Sequence, residues 1–306
     1  MDTILEIQNV TKHYAAHTAL KNVSISIPRG SIFGLLGPNG AGKTSLIRII
    51  NQITAADEGK VLFNGKLLAQ EHISAIGYLP EERGLYKKMK VGEQLIYLSR
   101  LKGMDKKKVV NKLKYWFEKL DITSWWDKNI EDLSKGMQQK VQFIATVLHE
   151  PKLIILDEPF SGFDPINANI IKDEILLLRE KGATIIFSTH RMESVEELCD
   201  DIALIDKSEK VLDGKKSAIK DSFKTNTFNI LTNQPLQSLS AAYELLSSEK
   251  NEAKSVLSKV KIKSGTTNDL LQEIIPTVQV LGMEEHLPSI NDIFIATVRD
   301  RTFANA

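Results

Sequence analysis

A glycine-rich segment between an apolar, strand-like run and a helix-like run constrains this chain more than any other feature. It fits the pattern G-x-x-x-x-G-K-[ST] and reads Gly37-Pro38-Asn39-Gly40-Ala41-Gly42-Lys43-Thr44. Glycines let a backbone wrap closely around an anion with its N–H groups pointing inward. A helix that begins near Lys43 would add the partial positive charge of its N-terminus. The sequence therefore predicts a phosphate cradle after a buried strand.

Two side chains of this cradle carry its chemistry. Lys43 would reach the β- and γ-oxygens of a bound polyphosphate, and the Thr44 hydroxyl would ligate Mg²⁺. Ser45, the next residue, is included among the predicted binding positions. The alternative is a strand-to-helix turn that is rich in glycine and binds no ligand.

A second feature is a pair of acids that follows the apolar run Leu153–Leu156, namely Asp157 and Glu158. Burying acids at the end of a strand is costly unless they have partners, and ligands of parallel sheets collect at these strand ends. Asp157 would belong to the Mg²⁺ shell, usually through water. Glu158 would be the general base that deprotonates an attacking water. An ordinary strand that enters a loop is the alternative.

Composition and charge exclude several classes of protein. The 306 residues carry 40 Lys and Arg against 39 Asp and Glu, so we expect no nucleic-acid partner. The single cysteine, Cys199, excludes an internal disulfide. The apolar runs are shorter than the ~18–20 residues that cross a bilayer. The start at Met1 lacks the features of a signal peptide, so we expect a cytoplasmic protein.

The order of the elements predicts an α/β sheet with helices on both faces, because strand-like and helix-like stretches alternate. A polar, linker-like stretch begins near Gly214, and a small β-α-β-α-β-α unit is expected beyond it. Its predicted strands are Thr227–Leu231, Ser255–Ile262 and Val278–Leu281. Its predicted helices are Leu236–Leu246, Asn268–Ile275 and Ile290–Val298.

Further motifs resemble those of the ATP-binding-cassette (ABC) ATPases over residues 1 to about 215. The run Leu133–Lys140 resembles the family signature Leu-Ser-Gly-Gly-Gln, and Glu158–Asp164 resembles the D-loop segment. The run Gly77–Glu81 resembles the Q-loop. His190 resembles the switch histidine, and Tyr14 occupies the place of the aromatic residue that stacks on adenine.

This resemblance implies a fold, a set of ligands and a set of partners. The fold is a P-loop NTPase core with a RecA-like mixed sheet and an antiparallel β subdomain, in residues 1–215. A helical subdomain spans about 88–150, and a small α+β accessory domain spans 216–306. The ligands are ATP and Mg²⁺, hydrolysed in a nucleotide-sandwich dimer with an identical or paralogous cassette. A polytopic membrane permease would hold the protein at the inner face of the membrane.

In such a dimer, Ser134 and Gly136 of one subunit would contact the γ-phosphate held by the other, and Asp164 would close the D-loop. His190 would assist Glu158 in catalysis. The sequence departs from the family pattern at Glu81, where the Q-loop has glutamine. We expect Glu81 to ligate Mg²⁺ and to make the site more dependent on that ion. Lys135 and Met137 also replace signature residues.

Two segments narrow the branch of the family. Leu79–Tyr86 and Pro288–Phe294 resemble those of bacterial exporter ATPases of the sodium-efflux (NatA-like) type. Three alternatives remain open at this point. The first is an ABC ATPase without a membrane partner, acting in cofactor assembly, translation or DNA maintenance. The others are a P-loop phosphotransferase and an ATP-gated interaction module.

Overall fold

The computed structural model describes residues 2–15, 17–82, 84–237, 239–251 and 255–304. The chain divides into two compact units, Met1–Lys216 and Ser217–Ala306, which we call the N-terminal and C-terminal units. Every helix in the described ranges is too short or too polar to cross a bilayer.

The N-terminal unit contains ten strands, six α-helices and three short 3₁₀ helices among the described residues. Its strands are β1 (Thr3–Tyr14), β2 (His17–Pro28), β3 (Ile32–Leu36), β4 (Glu58–Phe63), β5 (Lys66–Leu67), β6 (Ile76–Leu79), β7 (Leu153–Asp157), β8 (Thr184–Ser188), β9 (Asp201–Asp206) and β10 (Glu209–Lys215). Its helices are α1 (Lys43–Ile50), α2 (Val91–Leu101), α3 (Lys106–Lys119), α4 (Lys135–Val147), α5 (Pro165–Glu180) and α6 (Met192–Leu198).

Two sheets form the core of this unit. The central sheet has the order β10-β9-β3-β8-β7-β6, in which all neighbours are parallel except β10 and β9. The second sheet, β2-β1-β4-β5, is antiparallel. Strands β3, β7 and β8 are buried along their whole length, which explains their continuous apolar sequences. The predicted α/β class with an antiparallel β subdomain is confirmed.

The region between β6 and β7 is helical, as its spacing of apolar residues predicts. Helix α2 packs on α3 and α4. The aromatic rings of Trp116 and Phe143 lie 6.0 Å apart, and those of Phe117 and Trp126 lie 5.3 Å apart. These tryptophans therefore pack between the helices of this region.

The C-terminal unit is built on a four-stranded antiparallel sheet of order β12-β13-β11-β14. Its elements are α7 (Lys216–Ser222), β11 (Thr227–Thr232), β12 (Tyr243–Lys250), β13 (Val256–Ile262), α8 (Thr267–Ile274), β14 (Val280–Glu285) and α9 (Ile290–Ala304). Its apolar core includes Ile230, Val260 and Leu270. The linker-like stretch after Gly214 contains the short helix α7.

The predicted helix Leu236–Leu246 is wrong. Its last four residues belong to the edge strand β12, where Tyr243 pairs with Ile262 of β13. Ser238 lies outside the described residues. The spacing of Leu236, Leu239 and Tyr243 imitates a helix, but only Leu236 and Tyr243 of these are buried. Pairing with the free edge of β13 overrides this local pattern, as often happens at sheet edges.

Candidate active site

A cavity of about 280 Å³ lies where the chain leaves the carboxyl ends of the neighbouring strands β3, β8 and β7. Its lining brings together sequence segments that are far apart in the chain. The lining residues are Tyr14, His17, Ala19, Asn39, Gly40, Ala41, Gly42, Lys43, Thr44, Ser45, Glu81, Asp157, Glu158 and His190. Parallel sheets bind ligands at this edge.

The cradle needs glycine at two positions. A Cβ atom on Gly37 would lie 2.1 Å from the carbonyl oxygen of Ile205, and one on Gly42 would lie 2.3 Å from that of Ala19. Both residues also have positive φ angles, 150° and 116°. Gly42 is the N-cap of α1, so the first N–H groups of this helix face the loop. The backbone thus forms the close turn that an anion requires.

Lys43 folds back on the loop that precedes it. Its Nζ donates hydrogen bonds to the carbonyl oxygens of Gly37 (2.6 Å) and Pro38 (3.1 Å). Burial lowers the pKa of Lys43, while the charges of Asp157 and Glu158 oppose that shift. The carbonyl groups of Gly37 and Pro38 therefore hold the ammonium group of Lys43 at the cavity.

Asp157 is the last residue of β7 and only 4% of it is exposed. Burial raises the pKa of its carboxyl group; Glu81 and Glu158 raise it further, and Lys43 lowers it. Carboxylates that face one another in a buried site repel unless a cation lies between them. A cation at this site would offset the neighbouring negative charges of Glu81 and Glu158.

Glu158 has a left-handed backbone, with a φ of 49°. Such a conformation costs a non-glycine residue of the order of 1–3 kcal/mol and is typical of functional sites. Its N–H donates to the carbonyl oxygen of Ser188 at 2.9 Å, which fixes the turn against the end of β8. The side chain of Glu158 is consequently turned toward the segment that follows β8.

Three donors from that segment hold the Glu158 carboxylate. Oε1 accepts hydrogen bonds from the backbone N–H of His190 (2.8 Å) and lies 2.7 Å from its Nδ1. Oε2 accepts one from the Thr189 hydroxyl at 3.0 Å. A carboxylate has about four lone-pair positions, so Oε2 keeps one that can accept a proton from water. Sequence reasoning identified His190 and missed Thr189, which its place beside His190 could have suggested.

Two other predicted residues line the same cavity. Tyr14 is 40% exposed, and the Nζ of Lys12 lies 5.4 Å from the centre of its ring. Glu81 is exposed and follows the end of β6 by two residues. Arg83, in the predicted exporter-like segment Leu79–Tyr86, lies outside the described residues.

The structure does not place Ser134, Gly136 or Asp164 in this cavity. Ser134 is the exposed N-cap of α4, where its hydroxyl accepts a hydrogen bond from the N–H of Met137 (3.3 Å). Asp164 caps α5 by accepting a hydrogen bond from the N–H of Asn167 at 3.0 Å. This bond lowers the pKa of the Asp164 carboxyl group. A Cβ on Gly136 would lie 3.2 Å from the carbonyl oxygen of Gly162, so the two segments are neighbours.

Helix α4 connects the signature segment to two other loops. The Gln139 amide donates to the carbonyl oxygen of Pro159 at 3.1 Å, in the residue after Glu158. The Gln142 amide donates to the carbonyl oxygens of Pro80 (3.4 Å) and Glu82 (3.5 Å), on either side of Glu81. No local pattern in the sequence indicates these amides, because their partners are backbone groups 20 to 62 residues away.

The oxygen donors of the cavity fit a Mg²⁺ ion that is also bound by phosphate oxygens. Among the described residues, no group of three or more His, Cys, Asp or Glu side chains can hold a metal by itself. Mg²⁺ commonly uses one or two carboxylates and completes its shell with water and substrate phosphates. Asp157, Thr44 and Glu81 line the cavity together, and they offer the carboxylate and hydroxyl oxygens that Mg²⁺ prefers.

Comparison with known proteins identifies the family. The family model described as "ABC transporter" matches residues 20–161. An uncharacterised ABC transporter ATP-binding protein of Bacillus subtilis, YhaQ, is 42% identical over 299 residues, which cover 96% of this chain and 98% of the relative. The chain belongs to the family of ABC transporter ATP-binding proteins. This family hydrolyses ATP, so the chain is an ATPase.

Further matches agree with this assignment to the ABC family. The Nod factor export ATP-binding protein I of Cupriavidus metallidurans is 32% identical over 225 residues, which cover 72% of this chain and 74% of the relative. A solved ATP-binding subunit of an ABC transporter superposes with a TM-score of 0.68 at 28% identity, covering 72% of this chain and 93% of that one. Residues 214–298 match the C-terminal domain of DrrA1-3-like ATP-binding proteins.

Proposed function

We propose that this ABC ATPase is the nucleotide-binding subunit of a bacterial exporter of the NatA-like branch. Two copies would close around two ATP molecules and drive a separate polytopic membrane permease. The proposal places the protein in the cytoplasm, at the inner face of the membrane. The C-terminal unit, residues 216–306 in the predicted division, would be an accessory domain of this branch.

One observation supports the proposed dimer. The cavity holds Lys43, Thr44 and Glu158, whereas Ser134 and Gly136 lie outside it at the N-terminus of α4. A helix N-terminus with an exposed hydroxyl is a good partner for a phosphate. Because the same chain does not bring its two phosphate-binding segments into one cavity, a second copy would supply the missing one.

The residues of the cavity support a hydrolytic mechanism. Glu158 would accept the proton of the attacking water at the free position on Oε2, while Thr189 and His190 hold the carboxylate in place. Lys43 would exchange its loop carbonyls for phosphate oxygens and so stabilise their charge. Mg²⁺, when bound by Thr44, Asp157 and Glu81, would neutralise further charge on the phosphates. Tyr14 would stack on the base.

A second concave surface suits the permease. This groove, of about 380 Å³, is lined mainly by apolar residues of the core and of α2 and α4, including Ile53, Leu85, Leu98 and Leu101. Ile53 and Leu101 are 61% and 66% exposed, which is unusual for large apolar side chains. An amphipathic helix of a permease would bury them. Gln142 also lines the groove and contacts both residues beside Glu81, so an occupant could affect the catalytic side.

Export is supported by resemblance to relatives. One relative is named as a Nod factor export protein, and the C-terminal unit matches a domain of DrrA1-3-like proteins. The sodium-efflux segments of the sequence point to the same branch. The transported species would be recognised by the permease.

The proposal is tested with the Glu158→Gln variant. Loss of a general base typically costs ~10²–10⁴ in rate. We expect the variant to bind ATP, to lose most turnover and to form a stable ATP-dependent dimer in light scattering. Glu180→Gln, an exposed carboxylate on α5, is the matched control and should behave like wild type. Normal turnover by Glu158→Gln would contradict its role, and a monomer with bound ATP would contradict the dimer.

The permease partner is tested separately by purification from membranes. We expect the chain to co-purify with a polytopic membrane protein, and Leu101→Glu in the groove to abolish this without changing ATP binding. A stable complex with ribosomes or with a soluble scaffold would instead favour an ABC ATPase without a membrane partner. Phosphate transfer to an acceptor other than water would favour a phosphotransferase.

A further inference from the structure

The charge of the chain is unevenly distributed. The whole protein has a net charge of +1, yet the stretch from Lys87 to Lys140 contains fourteen Lys and Arg against seven Asp and Glu. This stretch forms the helical region between β6 and β7. A local excess of this size produces a positive surface potential that attracts anionic partners.

Several of these cations lie on the loop before α2, at the end of α2 and at the start of α3, in an exposed patch that we call the basic face. Arg100 and Leu101 of α2 and Lys106 of α3 line one shallow concavity together with Tyr97, Ile96 and Glu93. The ring of Tyr86 lies 6.1 Å from that of Tyr97, which brings the segment with Lys87 and Lys88 to the same side. The basic face consists of Tyr86, Lys87, Lys88, Tyr97, Arg100, Leu101, Lys106, Lys107 and Lys108.

These cations have no visible structural use. In the described part of the chain, no ion pair involves Lys106, Lys107 or Lys108, and all three are exposed. They also occupy the first turn of α3, where positive charge opposes the helix dipole. Asp105 alone caps this end, by accepting hydrogen bonds from two backbone N–H groups. Because these three lysines destabilise the start of their own helix, we expect them to bind an anion outside the chain.

Exposed aromatic and apolar side chains lie among the cations. Tyr86 is 55% exposed, Tyr97 41% and Leu101 66%. Tyrosine is enriched where proteins meet the membrane interface, and clusters of basic residues bind the anionic lipids of the cytoplasmic leaflet. Leu101 also lines the groove that we propose binds the permease. The basic face and the groove are therefore adjacent surfaces.

We propose that the basic face binds the headgroups of anionic membrane lipids. The position of the face beside the groove rests on the proposed permease partner, but the binding itself needs only lipid. The adjoining groove favours a bilayer over a nucleic acid, since a membrane protein in the groove would bring lipid to this side.

The test is flotation of the full chain with vesicles that contain no permease. Vesicles of phosphatidylcholine are compared with vesicles that also contain phosphatidylglycerol, at low and high salt. We expect binding only to the anionic vesicles and its loss at high salt. Each basic residue near such a surface strengthens binding roughly fivefold, so Lys106→Gln/Lys107→Gln/Lys108→Gln should weaken it about 100-fold.

A matched control separates the basic face from charge in general. Lys60→Gln/Lys66→Gln/Lys152→Gln removes the same charge from exposed sites outside the face. It should bind vesicles like wild type, and both variants should keep wild-type ATPase activity and thermal stability. Equal binding by wild type and the basic-face variant would overturn the proposal, as would equal binding to neutral vesicles. Binding of single-stranded RNA without binding of vesicles would also overturn it. Loss of the permease interaction alone would leave the vesicle result unchanged.

Discussion

The catalytic cavity of the N-terminal unit and the helix caps of the C-terminal unit hold their carboxylates in opposite ways. In the N-terminal unit, Asp157 is buried at the end of β7, and burial raises its pKa. In the C-terminal unit, Asp269 and Asp292 lie in the first turns of α8 and α9, where hydrogen bonds from Thr266 and Ser289 lower their pKa values. The first arrangement disfavours the charge that it holds, whereas the second stabilises both the charge and the helix.

This difference distinguishes carboxylates that serve function from carboxylates that serve the fold. A carboxylate held at a cost to stability is typical of a functional site, because selection for stability alone would replace it. A carboxylate that caps a helix is explained by the fold itself. We therefore expect variants of the cavity to change ATP binding and turnover, and variants of the C-terminal caps to change stability.

The largest expected effect in this comparison comes from one methyl group in the cradle. Gly37→Ala would place a Cβ 2.1 Å from the carbonyl oxygen of Ile205, so the loop must move. Strain of about 3 kcal/mol would weaken ATP binding roughly 100-fold. Gly282→Ala on β14 is the control, since nothing lies within 4 Å of its Cβ position. Titration with a fluorescent ATP analogue measures the affinity of both variants. Equal affinities would contradict the difference that we expect between the cavity and the C-terminal unit.

A smaller effect is expected when Asp157 is replaced by Asn. Because folding raises the pKa of Asp157 above 3.8, the folded chain keeps a proton that the unfolded chain has lost. Stability therefore falls as the pH rises from 3.8 through the folded-state pKa, and the loss persists above it. Asp157→Asn should remove this loss and stabilise the nucleotide-free protein by about 1 kcal/mol, while turnover falls.

Thermal unfolding at several pH values, followed by an ATPase assay, measures both consequences. A variant that is less stable than wild type at pH 7 would show that the carboxylate supports the fold. A variant with unchanged turnover would show that the carboxylate has no part in the reaction.

The smallest effect is expected in the C-terminal unit. Thr266 and Asp269 form a capping box at the start of α8, in which each side chain accepts a hydrogen bond from the other residue's backbone N–H. Thr266→Ala should cost about 1 kcal/mol of stability and leave the affinity for ATP unchanged. Denaturant unfolding and ATP titration check the two statements. A clear loss of ATP affinity would mean that the division between the units is not functional.

The sequence predicted the fold best where one signal sufficed. The runs that form β3, β7 and β8 have short, continuous apolar sequences that are typical of a parallel sheet covered on both faces. It failed at β12, because an edge strand with seven exposed residues out of eight has no alternation to recognise. Pairing with β13 determines this strand, and the partner cannot be read from the local sequence.

The candidate site was predictable in its residue types and less so in its geometry. The glycine-rich pattern and the two acids indicated the cradle and the strand end, which the structure places around one cavity. The left-handed backbone of Glu158 and the bond from Gln139 to Pro159 depend on distant partners. Ser134 lies outside the cavity at the N-terminus of α4, because the fold of one chain separates the signature segment from the cradle.

The central claim is that each subunit completes the other's pocket, and mixing two inactive variants tests it most directly. Lys43→Ala damages the cradle and Ser134→Ala damages the signature segment. In a mixed dimer, one pocket carries both defects and the other carries neither. We predict that each variant alone is nearly inactive and that the mixture hydrolyses ATP well above the average of the two. A mixture that gives only this average, although mixed dimers are present, would contradict the account.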